Sequence, residues 1–275
     1  MLPRKIVLPL ERWANSPYRK PMVLRGARQV GKTVAVKLFG ERYERFIYLD
    51  LERAGEADIF LRGLPIDQIF QAILLKSKTP HVEGRTLLFL DEIQNCPEAV
   101  ENLRYFYEEL PEIHVIAAGS LLEVALQEKH IRFPVGRVEH RFLHPITFKE
   151  FLGAIEADQA ADALDEIPLP DFARGVLMDH FHEYALIGGM PEAVARWVEK
   201  NDITAVNEVY DSILVSYQDD VAKYARNPTM AEIFRHCIET APFRPERESR
   251  LPDSGNRITD PGRWEKPCEL CKEPC

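Results

Sequence analysis

The chain has few cysteines and no long apolar run, and each shortage excludes a class of protein. Five cysteines occur in 275 residues, and three of them lie within the last eight positions. That odd, clustered set does not predict the disulfide framework of a small secreted domain. No apolar run approaches the roughly eighteen residues that a membrane helix needs. The N-terminal apolar stretch is interrupted by proline and is followed by no signal-peptide cleavage site. We therefore expect a cytoplasmic protein without a membrane partner.

The chain also lacks an excess of positive charge. Its net charge of -9 argues against broad affinity for nucleic acid. The charge is uneven, however, with +8 over residues 1–45 and -17 over the remainder. The basic part surrounds a glycine-containing loop, and a polyphosphate ligand would explain the asymmetry. For Arg12, Arg19 and Lys20, simple solvation of the surface is an equally good explanation.

Eight consecutive residues fit the phosphate-binding pattern G-x-x-x-x-G-K-[ST]. They are Gly26, Ala27, Arg28, Gln29, Val30, Gly31, Lys32 and Thr33. The two glycines allow backbone conformations in which successive amides point at phosphate oxygens. Lys32 is expected to reach the β- and γ-phosphates, and the Thr33 hydroxyl to bind Mg²⁺. A short apolar strand precedes the loop and a helical pattern follows it, which favours this interpretation over an ordinary strand-to-helix turn.

An acidic pair follows an apolar run about sixty residues later. Residues 86–90 form this run, and Asp91 and Glu92 follow it directly. Four consecutive apolar residues before an acid predict a central strand buried on both faces, with Asp91 at its carboxyl end. We expect Asp91 to hold Mg²⁺ and Glu92 to take a proton from an attacking water. The alternative is that the pair only caps the helix that Pro97 opens.

Strands alternate with helices through the first 150 residues, which predicts an α/β fold with a mostly parallel sheet of about five strands. The predicted strands are 22–24, 45–51, 86–91, 114–118 and 140–143, and the predicted helices are 33–42, 66–75 and 97–110. An acid directly after the metal-binding Asp91 is typical of P-loop proteins with an extra strand between the loop strand and the acid strand. The strand that ends before Ser120 is the candidate. Ser120 would then sense the γ-phosphate, or cap a helix at 121–128.

Five segments together resemble one family. They are residues 24–33, residues 90–94, Gly119 with Ser120, Gly136 and Arg137 with residues 145–151, and residues 188–194. In this order they are similar to the AAA ATPases of bacteria and archaea that carry a C-terminal domain of unknown function. The resemblance spans about residues 5–240. It implies an AAA-type αβα sandwich that binds ATP and Mg²⁺ and hydrolyses ATP. It also carries Ser120 over as the sensor and makes Arg137 a candidate for contacting the γ-phosphate, in its own or a neighbouring subunit; a structural or solvated arginine is the alternative.

The resemblance and the residue composition together predict the domain organisation. We predict an AAA-type domain at 1–155, a linker or loop at 158–171 and a smaller helical region at 172–240 that begins a truncated domain. Residues 241–275 are rich in proline and charge, and we predict a disordered tail produced by a frameshift or a premature stop. Neither His180 with His182 nor Cys268 with Cys271 has the partners that a metal site needs.

The sequence thus favours an ATPase whose hydrolysis drives a change in an unknown protein or DNA partner, and a homo-oligomer is one of the states it allows. A slow nucleotide-gated switch is the alternative from another class. A small-molecule phosphotransferase is a weaker one, because Glu92 favours hydrolysis and no arginine-rich lid is visible.

Overall fold

The structure is a computed structural model that describes residue 2 and residues 4–78, 84–120, 134–225 and 227–240. The predicted helix at 121–128, the predicted disordered tail at 241–275 and the cysteine pair at 268 and 271 lie outside these residues.

The described residues of the first half form β strands and helices in alternation. These are α1 (Val7–Ala14), β1 (Met22–Arg25), α2 (Lys32–Gly40), β2 (Arg45–Asp50), α3 (Ala54–Ala57), α4 (Ile66–Ser77), β3 (Thr86–Asp91), α5 (Pro97–Glu109), β4 (Ile113–Ala118) and β5 (Glu139–Phe142). Two 3₁₀ turns lie at Phe60–Arg62 and Ile93–Asn95. Each predicted strand and helix that lies within these described residues is present, with bounds no more than two residues from the predicted ones.

The five strands form one parallel sheet in the order β2-β3-β4-β1-β5. The predicted extra strand is confirmed, because β4 lies between β1 and β3. In register, Leu24 lies opposite Ala118, and Leu90 lies opposite Ala117. The carboxyl ends of β1, β3 and β4 therefore meet at one edge of the sheet, where ligands of open α/β sheets bind.

Two apolar layers cover the sheet, which explains why β3 is apolar without alternation. Leu88 and Leu90 pack on one face with residues of α4 and α5. Leu87 and Phe89 pack on the other face with residues of α1 and α2. All six residues of β3 are buried. Helices therefore cover both faces of the sheet, and this arrangement is the predicted αβα sandwich.

The second half is helical. Its elements are α6 (Phe148–Ala154), α7 (Asp158–Ala163), α8 (Asp171–Ile187), α9 (Pro191–Lys200), α10 (Ile203–Tyr224) and α11 (Pro228–Thr240). The prediction of a linker at 158–171 was wrong in its first part. Residues 158–163 form α7 because two of its alanines join a small core with Leu152 and Leu177. A six-residue helix is too short to show an apolar period in the sequence.

The chain divides into two compact units, Met1–Ser216 and Tyr217–Cys275. The first contains the sheet and the helices through most of α10. In the second, the Gln218 side-chain amide donates to Glu239 across 3.3 Å. This boundary falls inside α10, whereas the sequence placed one between residues 155 and 172. The functional limits of the domains stay a prediction.

Candidate functional site

The phosphate-binding pattern lies between the end of β1 and the start of α2, at the carboxyl edge of the sheet. Gly26 has φ +150° and Gly31 has φ +89°, both in the region that favours glycine. A Cβ on Gly26 would lie 2.2 Å from the Leu143 carbonyl oxygen, so the first glycine is also required by close backbone approach. Gly31 is the N-cap of α2, and its loop is therefore placed at the positive end of that helix.

The Lys32 ammonium is buried and turned onto its own loop. It donates to the carbonyl oxygens of Gly26 (2.9 Å) and Ala27 (2.8 Å). Burial lowers the pKa of Lys32, while the nearby carboxylates of Glu92 and Asp91 raise it. A cation held at the mouth of the loop by carbonyl oxygens can exchange these partners for phosphate oxygens.

The two residues predicted to bind Mg²⁺ are in contact, although 58 positions separate them. The Thr33 hydroxyl donates to the Asp91 carboxylate at 2.7 Å. Burial raises the pKa of Asp91; the hydrogen bond from Thr33 lowers it, and the charges of Glu92 and Asp50 raise it. A buried carboxylate beside two other carboxylates favours the approach of a cation.

This donor set fits Mg²⁺ only together with a nucleotide. Among the described residues, no group of three or more His, Cys, Asp and Glu side chains could hold a metal ion. Thr33 and Asp91 supply two hard oxygens, and Mg²⁺ characteristically completes six positions with phosphate oxygens and water. A bound Mg²⁺ would neutralise charge on the phosphates.

Glu92 stands directly after the metal-binding candidate and faces the same cavity. Its backbone has φ +51°, an uncommon conformation for a residue with a side chain. Its main-chain N–H donates to Asp91 Oδ1 at 3.1 Å. The side-chain amide of Gln94 donates to the Glu92 carboxylate. The carboxylate is therefore held by a neutral donor two residues away, a contact that the sequence did not reveal.

A cavity of about 640 Å³ adjoins the loop. Loop residues and Glu92 form one side, and Pro191, Glu192 and Ser216 from the helical part form the other. Sequence reasoning identified 188–194 only as part of a family pattern and gave its members no role. A second cavity of about 420 Å³ shares Gly31, Val34 and Pro191 with the first. Its remaining lining is largely apolar and comes from α2, α9, Leu2 and Arg4.

Tyr48 is a further residue that the sequence did not indicate. It stands on β2, and its hydroxyl lies 3.5 Å from Asp91 Oδ2. Burial, and after it the charge of Asp91, raises the pKa of Tyr48 to about 12. The Lys37 ammonium lies over the Tyr48 ring at 4.0 Å. Tyr48 thus stays a neutral donor beside the candidate metal ligand. The sequence carries no signal for this role, because it depends on the register that places Tyr48 of β2 beside Phe89 of β3.

Five of the eight predicted loop residues line one cavity with Glu92, and one of them, Thr33, contacts Asp91. Arg137 lies elsewhere. Ser120 is buried two residues after β4, at the correct edge of the sheet. Its sensor role stays a prediction. Arg137 precedes β5, whose first residue, Glu139, pairs with Met22 at the start of β1.

Arg137 therefore lies at the opposite edge of the sheet from the loop. Its guanidinium pairs with Glu108 at 3.0 Å. Arg137, and after it Arg104, holds the pKa of Glu108 below its usual value. A γ-phosphate contact within its own subunit does not fit this position, because β1 itself separates the two places. The structural alternative fits, and the contact with a neighbouring subunit stays a prediction.

Three features define a P-loop nucleotide-binding domain. They are the order of the parallel strands, the backbone conformation of the two loop glycines, and the positions of Lys32, Thr33 and Asp91. Residues 18–152 match the family model of the AAA domain, and residues 178–249 match a domain of unknown function, DUF8612. The chain belongs to the AAA domain family and carries this second domain C-terminally. The second match begins six residues after the start of the predicted helical region and extends nine residues past its end.

Solved structures agree with the fold. The Walker-type ATPase PABY2304 of Pyrococcus abyssi is 17% identical, with a TM-score of 0.51 over 81% of this chain and 76% of that one. AMPPCP-bound DnaA from Aquifex aeolicus is 14% identical, with a TM-score of 0.41 over 85% and 75%. Orc1 of Aeropyrum pernix in complex with DNA is 15% identical, with a TM-score of 0.36 over 81% and 66%. The last two scores add nothing to the fold assignment. No curated protein matches the chain.

In the part of the chain that the structure describes, no helix combines the length and the apolar character needed to cross a membrane.

Proposed function

We propose that the chain binds ATP with Mg²⁺ and hydrolyses its γ-phosphate bond. The observation that carries the proposal is the 2.7 Å contact between Thr33 and Asp91, at the mouth of the cavity that Lys32 and Glu92 line. Two magnesium ligands, a phosphate-binding cation and a carboxylate from two separate parts of the chain, residues 32–33 and 91–92, meet at one place. Phosphoryl transfer requires this set, since its catalysis consists mainly of positioning and charge stabilisation.

Each residue has a definite part in the reaction. Backbone amides of the loop and the Lys32 ammonium bind the phosphates. Thr33 and Asp91 would hold Mg²⁺, which would neutralise developing charge on the phosphate oxygens. Glu92 accepts a proton from the attacking water as the water oxygen bonds to the γ-phosphorus and the bond to the β-phosphate oxygen breaks. The products are ADP and inorganic phosphate.

The neighbouring apolar cavity provides a place for the base. It shares Gly31 and Val34 with the phosphate cavity, so one ligand can occupy both. A purine ring presents mainly apolar area, and side chains of Val34, Leu38 and Val198 would pack on it. We further propose that turnover is passed to a protein or DNA partner through α9, whose Pro191 borders both cavities.

A slow nucleotide-gated switch is the second candidate, and one contact favours it. Gln94 donates to the Glu92 carboxylate, and a carboxylate engaged in this way is less available to an attacking water. Hydrolysis would then begin only after a partner moves Gln94. Both candidates require ATP binding, and they differ in the rate of ATP hydrolysis that they predict for the isolated chain.

Two substitutions test the proposal and separate the candidates. Lys32→Ala should lower ATP affinity at least tenfold, because a charged phosphate contact is lost. Glu92→Gln should keep ATP affinity within about threefold and lower phosphate release about a hundredfold, the lower end for general base catalysis. Glu101→Gln, on the exposed side of α5, is the matched control. Calorimetry with Mg·ATP and a phosphate-release assay measure both quantities.

The outcomes are distinct. Binding by the wild type with equally negligible phosphate release in wild type and Glu92→Gln would favour the switch. Unchanged affinity in Lys32→Ala would refute the assignment of the phosphate site itself.

A further inference from the structure

Arg4 joins the phosphate-binding loop to a distant part of the chain. Its Nη1 donates to the Val30 carbonyl at 2.8 Å, and its Nη2 donates to the His144 carbonyl at 2.6 Å. Its Nε lies 3.4 Å from Glu150 Oε1. The Arg4 side chain is only 12% exposed. Its guanidinium thus donates to two carbonyl oxygens and forms an ion pair with a carboxylate, an arrangement that suits its planar fork of donors better than a lysine ammonium.

Glu150 is itself held in place. It is buried at the start of α6, where it forms a capping box with Thr147. The Lys5 main-chain N–H donates to Glu150 Oε1 at 2.6 Å, and the Thr147 N–H and hydroxyl donate to Oε2 at 2.8 and 3.0 Å. A carboxylate with this many donors has little freedom to move. It therefore fixes the position of the arginine beside it.

The loop contact falls on a specific peptide group. The Val30 carbonyl belongs to the planar trans peptide that ends in the Gly31 N–H, and in such a peptide the two groups point in opposite directions. Because Arg4 holds the oxygen, it also sets the direction of the Gly31 N–H, away from Arg4. Gly31 has φ +89° and lines the phosphate cavity, and Arg4 Nη1 stands 3.5 Å from the place where a Cβ on Gly31 would be. The glycine alone would leave this peptide free to rotate.

The same segment supports the other end of the loop. Leu143 N–H donates to the Arg25 carbonyl at 2.8 Å, and the Leu143 carbonyl lies against Gly26. Residues 143–150 therefore contact the first glycine directly and the second through Arg4. The loop rests on a support supplied by two chain segments, residues 4–5 and 143–150, rather than on its own strand and helix alone.

We propose that Arg4, held by Glu150, is a positioning residue that orients the Val30–Gly31 peptide for phosphate binding. The inference rests on the proposed ATP binding for its functional consequence. Arg4 touches neither the phosphate nor the metal, and it acts by pre-organising a backbone donor. Such a donor contacts the phosphate equally in the ground and transition states, so its loss raises KM and leaves kcat nearly unchanged.

Arg4→Met tests the idea, since it keeps much of the stem that lines the apolar cavity and removes the donors. We expect the Kd and KM for Mg·ATP to rise about tenfold, the scale of one lost hydrogen bond from a charged donor. We expect kcat to stay within about threefold. Arg4→Lys should recover part of the affinity because it retains the charge. Arg104→Met, which removes an exposed ion pair at the opposite edge of the sheet, is the control and should change neither constant.

A second measurement does not depend on ATP. Hydrogen exchange of the nucleotide-free chain should show faster exchange at residues 30–33 in Arg4→Met than in the wild type, while the amides of β2 stay unchanged. A purely structural role would instead accelerate exchange throughout the sheet. If the wild type fails to bind ATP, the proposed function is wrong, and the exchange at residues 30–33 alone then decides whether Arg4 positions the loop.

The remaining outcomes are equally decisive. A KM within twofold of wild type together with unchanged exchange in Arg4→Met would overturn the proposal. If Arg4→Met does not fold, Glu150→Gln replaces it, because the amide keeps one oxygen for the Lys5 or Thr147 donors and loses the charge that holds Arg4. Faster exchange at residues 30–33 in that variant supports the proposal, and wild-type exchange there contradicts it.

Discussion

Gly26→Ala is the sharpest test of the loop geometry. The backbone of Gly26 has φ +150°, which a side chain strains by about 1–3 kcal/mol. The new Cβ would also lie 2.2 Å from the Leu143 carbonyl oxygen and 3.2 Å from Val30 Cγ2. The first contact is with backbone, so no rotamer change relieves it. The loop or the end of β5 must move by about 1 Å, and we expect a loss of about 3 kcal/mol in the free energy of unfolding.

A second glycine separates the strain from the clash. Gly63 has φ +62°, and a Cβ there would meet nothing within 4 Å. Gly63→Ala should therefore lower the free energy of unfolding only by the cost of a left-handed backbone conformation, about 1–2 kcal/mol. It should also keep ATP affinity, whereas Gly26→Ala should lose at least tenfold, because displacing Leu143 also disturbs the backbone hydrogen bond to Arg25.

Urea unfolding gives both stabilities, and calorimetry with Mg·ATP gives both affinities. Equal stability of the two variants would refute the clash with Leu143. An affinity of Gly26→Ala within twofold of wild type would refute the view that the loop backbone must keep this path.

Two other properties of the structure lead to measurable expectations. Asp91→Asn should lower ATP affinity at least tenfold in Mg²⁺ and by less than threefold with the metal chelated, because the carboxylate acts on the phosphates only through the metal; equal losses in both buffers would contradict this. Burial lowers the pKa of His114 from 6.5 to about 4. The unfolded chain therefore takes up a proton first, and stability should fall as the pH falls from 6.5 towards 4, by up to about 3 kcal/mol from this group. Urea unfolding of wild type and His114→Phe at several pH values checks it, and identical pH slopes would show that His114 contributes nothing.

The sheet could be predicted because its signals are local. Each strand from β1 to β4 contains a short apolar run bounded by a charged or turn residue, and the Asp91-Glu92 pair indicated that β4 lies next to β1. The loop was predictable for the same reason, since eight adjacent residues contain the whole pattern. What the sequence predicted at Asp91 and Thr33 was a joint role, and the fold gave the 2.7 Å contact between them.

The missed residues depend on contacts between distant positions. Arg4 lies 26 positions from Val30 and 146 from Glu150, and in the sequence it looks like any basic residue near an N-terminus. Its proposed role follows only from the two carbonyl oxygens and the carboxylate that folding brings to it. Arg137 shows the reverse case: its place in the family pattern suggested the phosphate, the register of β5 put it at the opposite edge of its own sheet, and only the contact with a neighbouring subunit stays a prediction.

One short segment connects the loop with the helical part. Residues 143–150 support both ends of the loop, and within them Ile146 N–H donates to the Gly189 carbonyl at 2.7 Å. The Tyr184 hydroxyl donates to the Ile146 carbonyl at 2.7 Å. A Cβ on Gly189 would stand 2.5 Å from that same carbonyl, so the turn before α9 cannot slide past the segment.

The position of Pro191 over the cavity is therefore fixed by backbone contacts to the segment that also fixes the loop. A shift of the loop on phosphate binding must either break these hydrogen bonds or move the start of α9 with it. Because buried backbone hydrogen bonds are costly to lose, the second response is the favoured one. The contacts of Ile146 thus give a physical route by which the phosphate site could displace α9, the element through which we propose that a partner is reached.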